Sequence, residues 1–211
     1  MRTNKHTYAF AFMIVLAAFA GILTWKIIDQ QTLWIDEWMK GRLQLLQGEG
    51  SIAFFTVLTE MGSEPGIIGT LVGAGIWLVK KKRYISVAVF VIAVAVAQLL
   101  NKVLKNIIAR ERPSLNEAID AVSYSFPSGH AMVGLVTYGF LAALLIRAGM
   151  KKSVVIIGAA FLILLVGLSR IVLSVHYPSD ILGGYCLGGM LLIVFLYADA
   201  YANSRQKKRS R

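Results

Sequence analysis

Long apolar runs alternate with short charged stretches along this chain, and the lengths of the runs predict helices that cross a membrane. A bilayer core needs about 20 predominantly apolar residues per helix. Six spans can be read, at about 8–28, 65–79, 84–103, 131–146, 153–173 and 179–197. Pro65 suits the opening of the second, since proline is tolerated at the first helical position, and "KKKR" at 80–83 stops it. The stretch 29–62 reads differently. Trp34, Ile35, Trp38 and Met39 mix with Asp36, Glu37, Lys40 and Arg42, the pattern of a helix lying in the membrane interface, where indole rings are favoured. Ser51–Thr59 is apolar but short, and "EMGSEPG" breaks it, so it is expected against the bilayer surface or partly re-entrant. "GTLVG" and "GYCLG" permit close helix contact. The basic end, 203–211, is expected to be a flexible tail. The fold class is thus all-α, a polytopic membrane protein in one membrane-embedded domain, 1–211.

Composition supports that reading. Hydrophobic residues make up 57% and charged residues 16%, against about a quarter charged in soluble domains. The net charge of +11 could suggest nucleic acid, but the cations lie in clusters between apolar runs and form no groove, so they report topology. With the N-terminus inside, segments 1–7, 80–83, 147–152 and 198 onward hold fourteen of the 22 Lys and Arg and one acid, Asp199. That bias predicts cytoplasmic termini in a plasma membrane. "AFAG" at 18–21 resembles a signal-peptide cleavage site, but the apolar run continues to Trp25 and is read as a retained anchor. Cys186 is the one cysteine and excludes an internal disulfide.

The same topology puts three polar segments at helix ends on the outer face: "KNIIARERP" (105–113), "FPSGHAM" (126–132) and "SRIVLSVHYPSD" (169–180). Lys105, Arg112 and Arg170 are cations on one side of the membrane. Arginine's planar fork matches phosphate oxygens and lysine adds a compact charge. Pro127, Ser128 and Gly129 precede the fourth span, where free N–H groups attract anions. His176 and Asp180, four residues apart, suit a nucleophile whose tautomer a carboxylate fixes. His130 then suits a general acid for the departing oxygen and a base for incoming water. Metal catalysis would need a cluster of acidic and histidine ligands. Glu111, Glu117 and Asp120 lack such spacing and lie among cations, so no metal or other cofactor is expected.

Together the segments resemble the three-part signature of the type 2 phosphatidic acid phosphatase (PAP2) superfamily. K-x6-R-P falls at Lys105, Arg112 and Pro113, P-S-G-H at Pro127 to His130, and S-R-x5-H-x3-D at Ser169, Arg170, His176 and Asp180. The resemblance implies that His176 attacks phosphorus with Asp180 behind it and that His130 protonates the leaving group. It implies that Lys105, Arg112, Ser128, Gly129 and Arg170 hold phosphate oxygens, while Ser169, Pro113 and Pro127 support them. Soluble acid phosphatases and vanadium haloperoxidases share the signature, but six spans argue for a lipid substrate. Small bacterial members act on phosphatidylglycerophosphate, phosphatidic acid or undecaprenyl diphosphate; an outward-facing site slightly favours undecaprenyl diphosphate, while size and layout look equally like the phosphatidylglycerophosphatase B type. The implied partners are a lipid phosphate or diphosphate and the surrounding lipids, with neither nucleic acid nor an obligate protein partner. A phosphotransferase that passes the group to a second lipid would keep the same residues; a lipid or anion transporter would not need the triad.

Overall fold

The computed structural model describes residues 3–209, apart from 32, 41, 43, 44, 46 and 114–122. Its described elements are helical: α1 (Thr3–Ile28), α2 (Trp34–Lys40), α3 (Glu49–Thr59), α4 (Glu64–Lys80), α5 (Tyr84–Ile108), α6 (Gly129–Arg147), α7 (Lys152–Val172) and α8 (Pro178–Arg209). Five are long and apolar enough to cross a membrane: α1, α5, α6, α7 and α8. The all-α, multi-span architecture expected from the apolar runs is therefore present.

The expected second span has a different form. α4 has 17 residues, about 25 Å at 1.5 Å per residue, short of a bilayer core of about 30 Å. A 3₁₀ turn, Glu60–Gly62, links it to α3 with a bend of 51°. The α3–α4 pair counts as a sixth span only if taken as one broken element. The break is local in origin. Ser63 is extended and caps α4 by accepting from the Gly66 N–H, and Pro65, lacking an N–H, starts a helix more readily than it continues one. α2 carries the interfacial pattern, with Trp34 76% exposed and Asp36 buried on its other side.

α8 also departs from expectation. The stretch 203–211, anticipated as a flexible tail, is helical as far as Arg209. Its Arg, Gln and Lys residues are good helix formers. Asn203 fastens the turn by donating to the Asp199 carbonyl and to Ser86 Oγ on α5.

α6 is the central helix, packed against α8, α7 and α5, while α1 lies along α8 and α3 along α7. Phe90 and Phe140 stack at 5.0 Å in the core between α5 and α6. Gly139 lets α8 approach, since a Cβ there would overlap the Leu192 side chain. Buried Asp199 pairs with Arg147 at one end of the bundle, near the beginning of α1, where His6 meets Tyr197. The end of α5, the starts of α6 and α8 and the end of α7 meet at the other end.

Candidate active site

Three chain reversals build the site. α5 ends at Ala109, whose φ of 51° is left-handed and whose N–H bonds the Lys105 carbonyl at 2.9 Å. This is a single-bond helix stop more often made by glycine, and it turns Arg110 and Arg112 back over the helix end. α7 ends in a Schellman closure: Val175 N–H reaches the Arg170 carbonyl and Ser174 N–H the Ile171 carbonyl, with Ser174 left-handed at φ 56°. That closure sets His176 beside the turn that carries Arg170. α6 begins after a cis Phe126–Pro127 bond. Ser128 Oγ accepts from the Ala131 N–H, and the Ser128 N–H bonds the Asp180 carbonyl, joining the starts of α6 and α8. Gly129 lets Asn101 approach closely, since a Cβ there would lie 3.0 Å from its Oδ1, tighter than an ordinary contact.

Lys105, Arg112, Gly129, His130 and His176 line one end of a cavity of about 330 Å³. Its other walls are mostly apolar, with Ile67, Ile68 and Leu71 of α4 and Val91, Val94 and Ala95 of α5, and they also carry Glu64 of α4 and Gln98 and Asn101 of α5. Lys105 Nζ and Arg112 Nη2 both donate to Ser123 Oγ at 3.1 Å, and Arg112 Nη1 donates to the Val175 carbonyl. Arg170, 1% exposed, donates to Thr59 Oγ1 at 2.8 Å. Burial holds the Arg112 guanidinium below its ordinary pKa, and Asp180 opposes the shift. Desolvated cations of this kind recover lost hydration when an anion binds.

His176 is buried, and its Nδ1 lies 3.2 Å from Asp180 Oδ2. That carboxylate oxygen also accepts from Ser125 Oγ and, at 2.8 Å, from the Tyr177 N–H. An acceptor at Nδ1 assigns the proton to that nitrogen and leaves Nε2 with a lone pair. Burial pushes the imidazole pKa down to about 3, against the pull of Asp180, so the ring is neutral near pH 7. Arrangement and protonation both suit nucleophilic attack.

The structure therefore gathers Lys105, Arg112, Gly129, His130, His176 and Asp180, with Arg170 in the adjoining turn. The other expected residues are structural in their visible contacts. Ser128 and Ser169 are fully buried, with Ser128 capping α6 and Ser169 donating to the Val166 carbonyl. The Pro127 carbonyl accepts from Asn101, and Pro113 follows Arg112 in the turn beyond α5. Glu117 and Asp120 lie outside the described residues. Among the described residues, no three His, Cys, Asp or Glu side chains are grouped as metal ligands would be.

Sequence reasoning missed Ser123, Ser125, Arg110, Asp36, Thr59 and Gly62. Arg110 had a signal, a further cation inside "KNIIARERP". Gly62 had none: a Cβ there would sit 2.8 Å from His130 Cδ2, so the α3–α4 turn packs directly on that histidine.

The family model described as the PAP2 superfamily matches residues 86–204. The chain is 35% identical to phosphatidylglycerophosphatase B of Bacillus subtilis (strain 168) over 91% of its own length and 92% of that protein's. It is 32% identical to an undecaprenyl-diphosphatase of Sulfolobus acidocaldarius, covering 53% of this chain and 54% of that one. Its fold matches the crystal structure of a transmembrane PAP2 type phosphatidylglycerolphosphate phosphatase from Bacillus subtilis with a TM-score of 0.82. There the identity is 28%, and the match covers 90% of this chain and 96% of the other. Signature, fold and near full-length similarity agree, and the chain belongs to the PAP2 superfamily as one of its membrane-embedded phosphatases.

Proposed function

We propose that the protein hydrolyses the phosphate of a membrane lipid without a metal ion, through a phosphohistidine on His176. The observation that carries this reading is the graded cavity, lined by Lys105, Arg112, His130 and His176 at one end and mostly by aliphatic side chains along α4 and α5. That gradient suits a molecule with a phosphate head and a hydrocarbon tail.

In the first step, the His176 Nε2 lone pair attacks phosphorus as the bond to the lipid oxygen breaks. His130 gives that oxygen a proton. Asp180 stabilises the cationic, phosphorylated ring. Lys105, Arg112, Arg170 and the first N–H groups of α6 balance charge on the equatorial oxygens, the electrostatic contribution expected to dominate in a water-poor site. In the second step, His130 takes a proton from water. Its oxygen displaces the Nε2–P electron pair back onto His176, releasing inorganic phosphate.

Phosphatidylglycerophosphate is the first substrate to test, because the Bacillus subtilis relative bearing that name spans nearly the whole chain. The Sulfolobus relative makes undecaprenyl diphosphate the second. The Lys and Arg clusters at the far end of the bundle support cytoplasmic termini and a site on the extracytoplasmic face of the plasma membrane.

The test is phosphate release from each lipid by detergent-purified protein in EDTA, with His176→Ala as the blank. Release that the blank lacks is expected. A strict Mg²⁺ requirement would refute the metal-free mechanism, and full activity in His176→Ala would remove the nucleophile. Loss of lipid phosphate without free phosphate would instead indicate transfer to a second lipid.

A further inference from the structure

Asp180 is gripped on both oxygens. Oδ2 meets Ser125, Tyr177 N–H and His176, whereas Oδ1 accepts from Arg110 Nη1 at 2.5 Å. The same Arg110 nitrogen reaches Ser179 Oγ at 2.7 Å, and Nη2 donates to Asp36 Oδ2 at 2.8 Å. Asp36 also accepts from the Ser179 N–H at 2.9 Å and from Ser179 Oγ at 2.6 Å. Asp36 is 6% exposed, Ser179 and Asp180 are fully buried, and the Tyr177 ring covers the guanidinium at 4.1 Å. Burial works against the Arg110 charge, but Asp180 and Asp36 more than offset it and raise its pKa.

From this geometry we infer that Asp36 of α2 and Arg110 are positioning residues for the reaction, aiming the catalytic carboxylate Asp180 at His176. The inference rests on the proposed role of His176. Its physical basis is the alternation of charge along the row Asp36, Arg110, Asp180 and His176. A carboxylate with one cation on Oδ1 and nothing behind that cation would hold less negative potential toward Nδ1. Asp36 shares the guanidinium and returns that potential to the side facing His176, where positive charge develops as the N–P bond forms. The fork matters as well. Its two nitrogens hold Asp180 and Asp36 at a set separation, Nη1 on Asp180 and Nη2 on Asp36, which a single ammonium would not do. Neither residue lines the cavity, so the effect falls on turnover and spares phosphate binding.

The experiment measures kcat and KM for phosphate release from phosphatidylglycerophosphate in detergent micelles. It uses the wild type, Asp36→Asn, Asp36→Glu, Arg110→Lys and the His176→Ala blank, each checked by gel filtration. Asp36→Asn is expected to lose at least about tenfold in kcat with KM within about twofold, since an interaction made in the transition state lowers kcat alone. Asp36→Glu should recover part of the loss, and Arg110→Lys should resemble Asp36→Asn. Wild-type kcat in Asp36→Asn would overturn the inference and leave the proposed function standing. A loss shared equally between kcat and KM would also overturn it, by making Asp36 a strut for α2. If Asp36→Asn aggregates, Arg110→Lys decides by the same criteria. No phosphate release by the wild type would defeat the proposed function itself, and the inference with it.

Discussion

Gly62 gives the sharpest test of how the α3–α4 turn bears on catalysis. Replacing it with alanine adds one methyl group, with no backbone penalty, because no left-handed φ is required there. The new Cβ would lie 2.5 Å from Val166 Cγ1 and 2.8 Å from His130 Cδ2. Val166 is 1% exposed and β-branched, hence stiff about χ1, so the imidazole or the whole turn must give way. Relaxed carbon contacts sit at about 3.5–4.0 Å, so the required retreat is about 0.7–1.2 Å from His130 and about 1.0–1.5 Å from Val166. Displacements near 1 Å at a reacting group cost about 10²-fold, and kcat should fall by about 10- to 100-fold. Overpacking should cost about 1–3 kcal/mol of stability. The assay is initial phosphate release by purified Gly62→Ala, beside Gly62→Ala/Val166→Ala, in which loss of the valine methyls makes room and should restore part of the rate. Wild-type kcat in the single variant would refute the contact between turn and His130.

Asp180→Asn removes the charge 3.2 Å from His176 Nδ1. At an effective dielectric of about 20 this is worth about 5 kcal/mol, or about 10³- to 10⁴-fold in kcat; a loss below tenfold would contradict an imidazolium-like transition state. His176, with a pKa lowered to about 3, binds fewer protons folded than unfolded between that value and about 6.5. Its contribution to stability is therefore complete above about pH 6.5 and declines on acidification by up to about 1.4 kcal/mol per pH unit. Melting from pH 8 to 4 should show this slope in the wild type and less of it in His176→Gln; identical slopes would refute it. At the other end of the bundle, Asp199→Asn weakens the pairing with Arg147 while leaving Asn203 a partner. It should lower stability by about 1–2 kcal/mol with kcat unchanged, and altered turnover would mean that the two ends are coupled.

The spans and most of the site were legible in the residues themselves, because both depend on local order. An uncharged run of span length has few places to go except a bilayer, and the phosphate-directed segments sit where those runs stop. His176 and Asp180 are four apart, and the Lys105-to-Arg112 turn is likewise local. Partners distant in sequence followed no such pattern. Asp36 meets Ser179 across 143 residues and Thr59 meets Arg170 across 111, and such pairings exist only once α2 and α3 have packed against α8 and α7. The bend between α3 and α4 is similar: "GSEP" signals an interruption, but its landing on His130 is decided by the room beside Val166. The helical end of α8 depends on Asn203 finding Ser86 of α5. Sequence by itself determined which stretches are long and apolar enough to cross a membrane and which residue types gather at the candidate site, since hydrophobic length and motif spacing are properties of one stretch of chain. Only the tertiary structure decided what aims Asp180, what rests on His130 and where the cavity becomes apolar, because buried polar groups must find partners and close-packed helices leave few places for them.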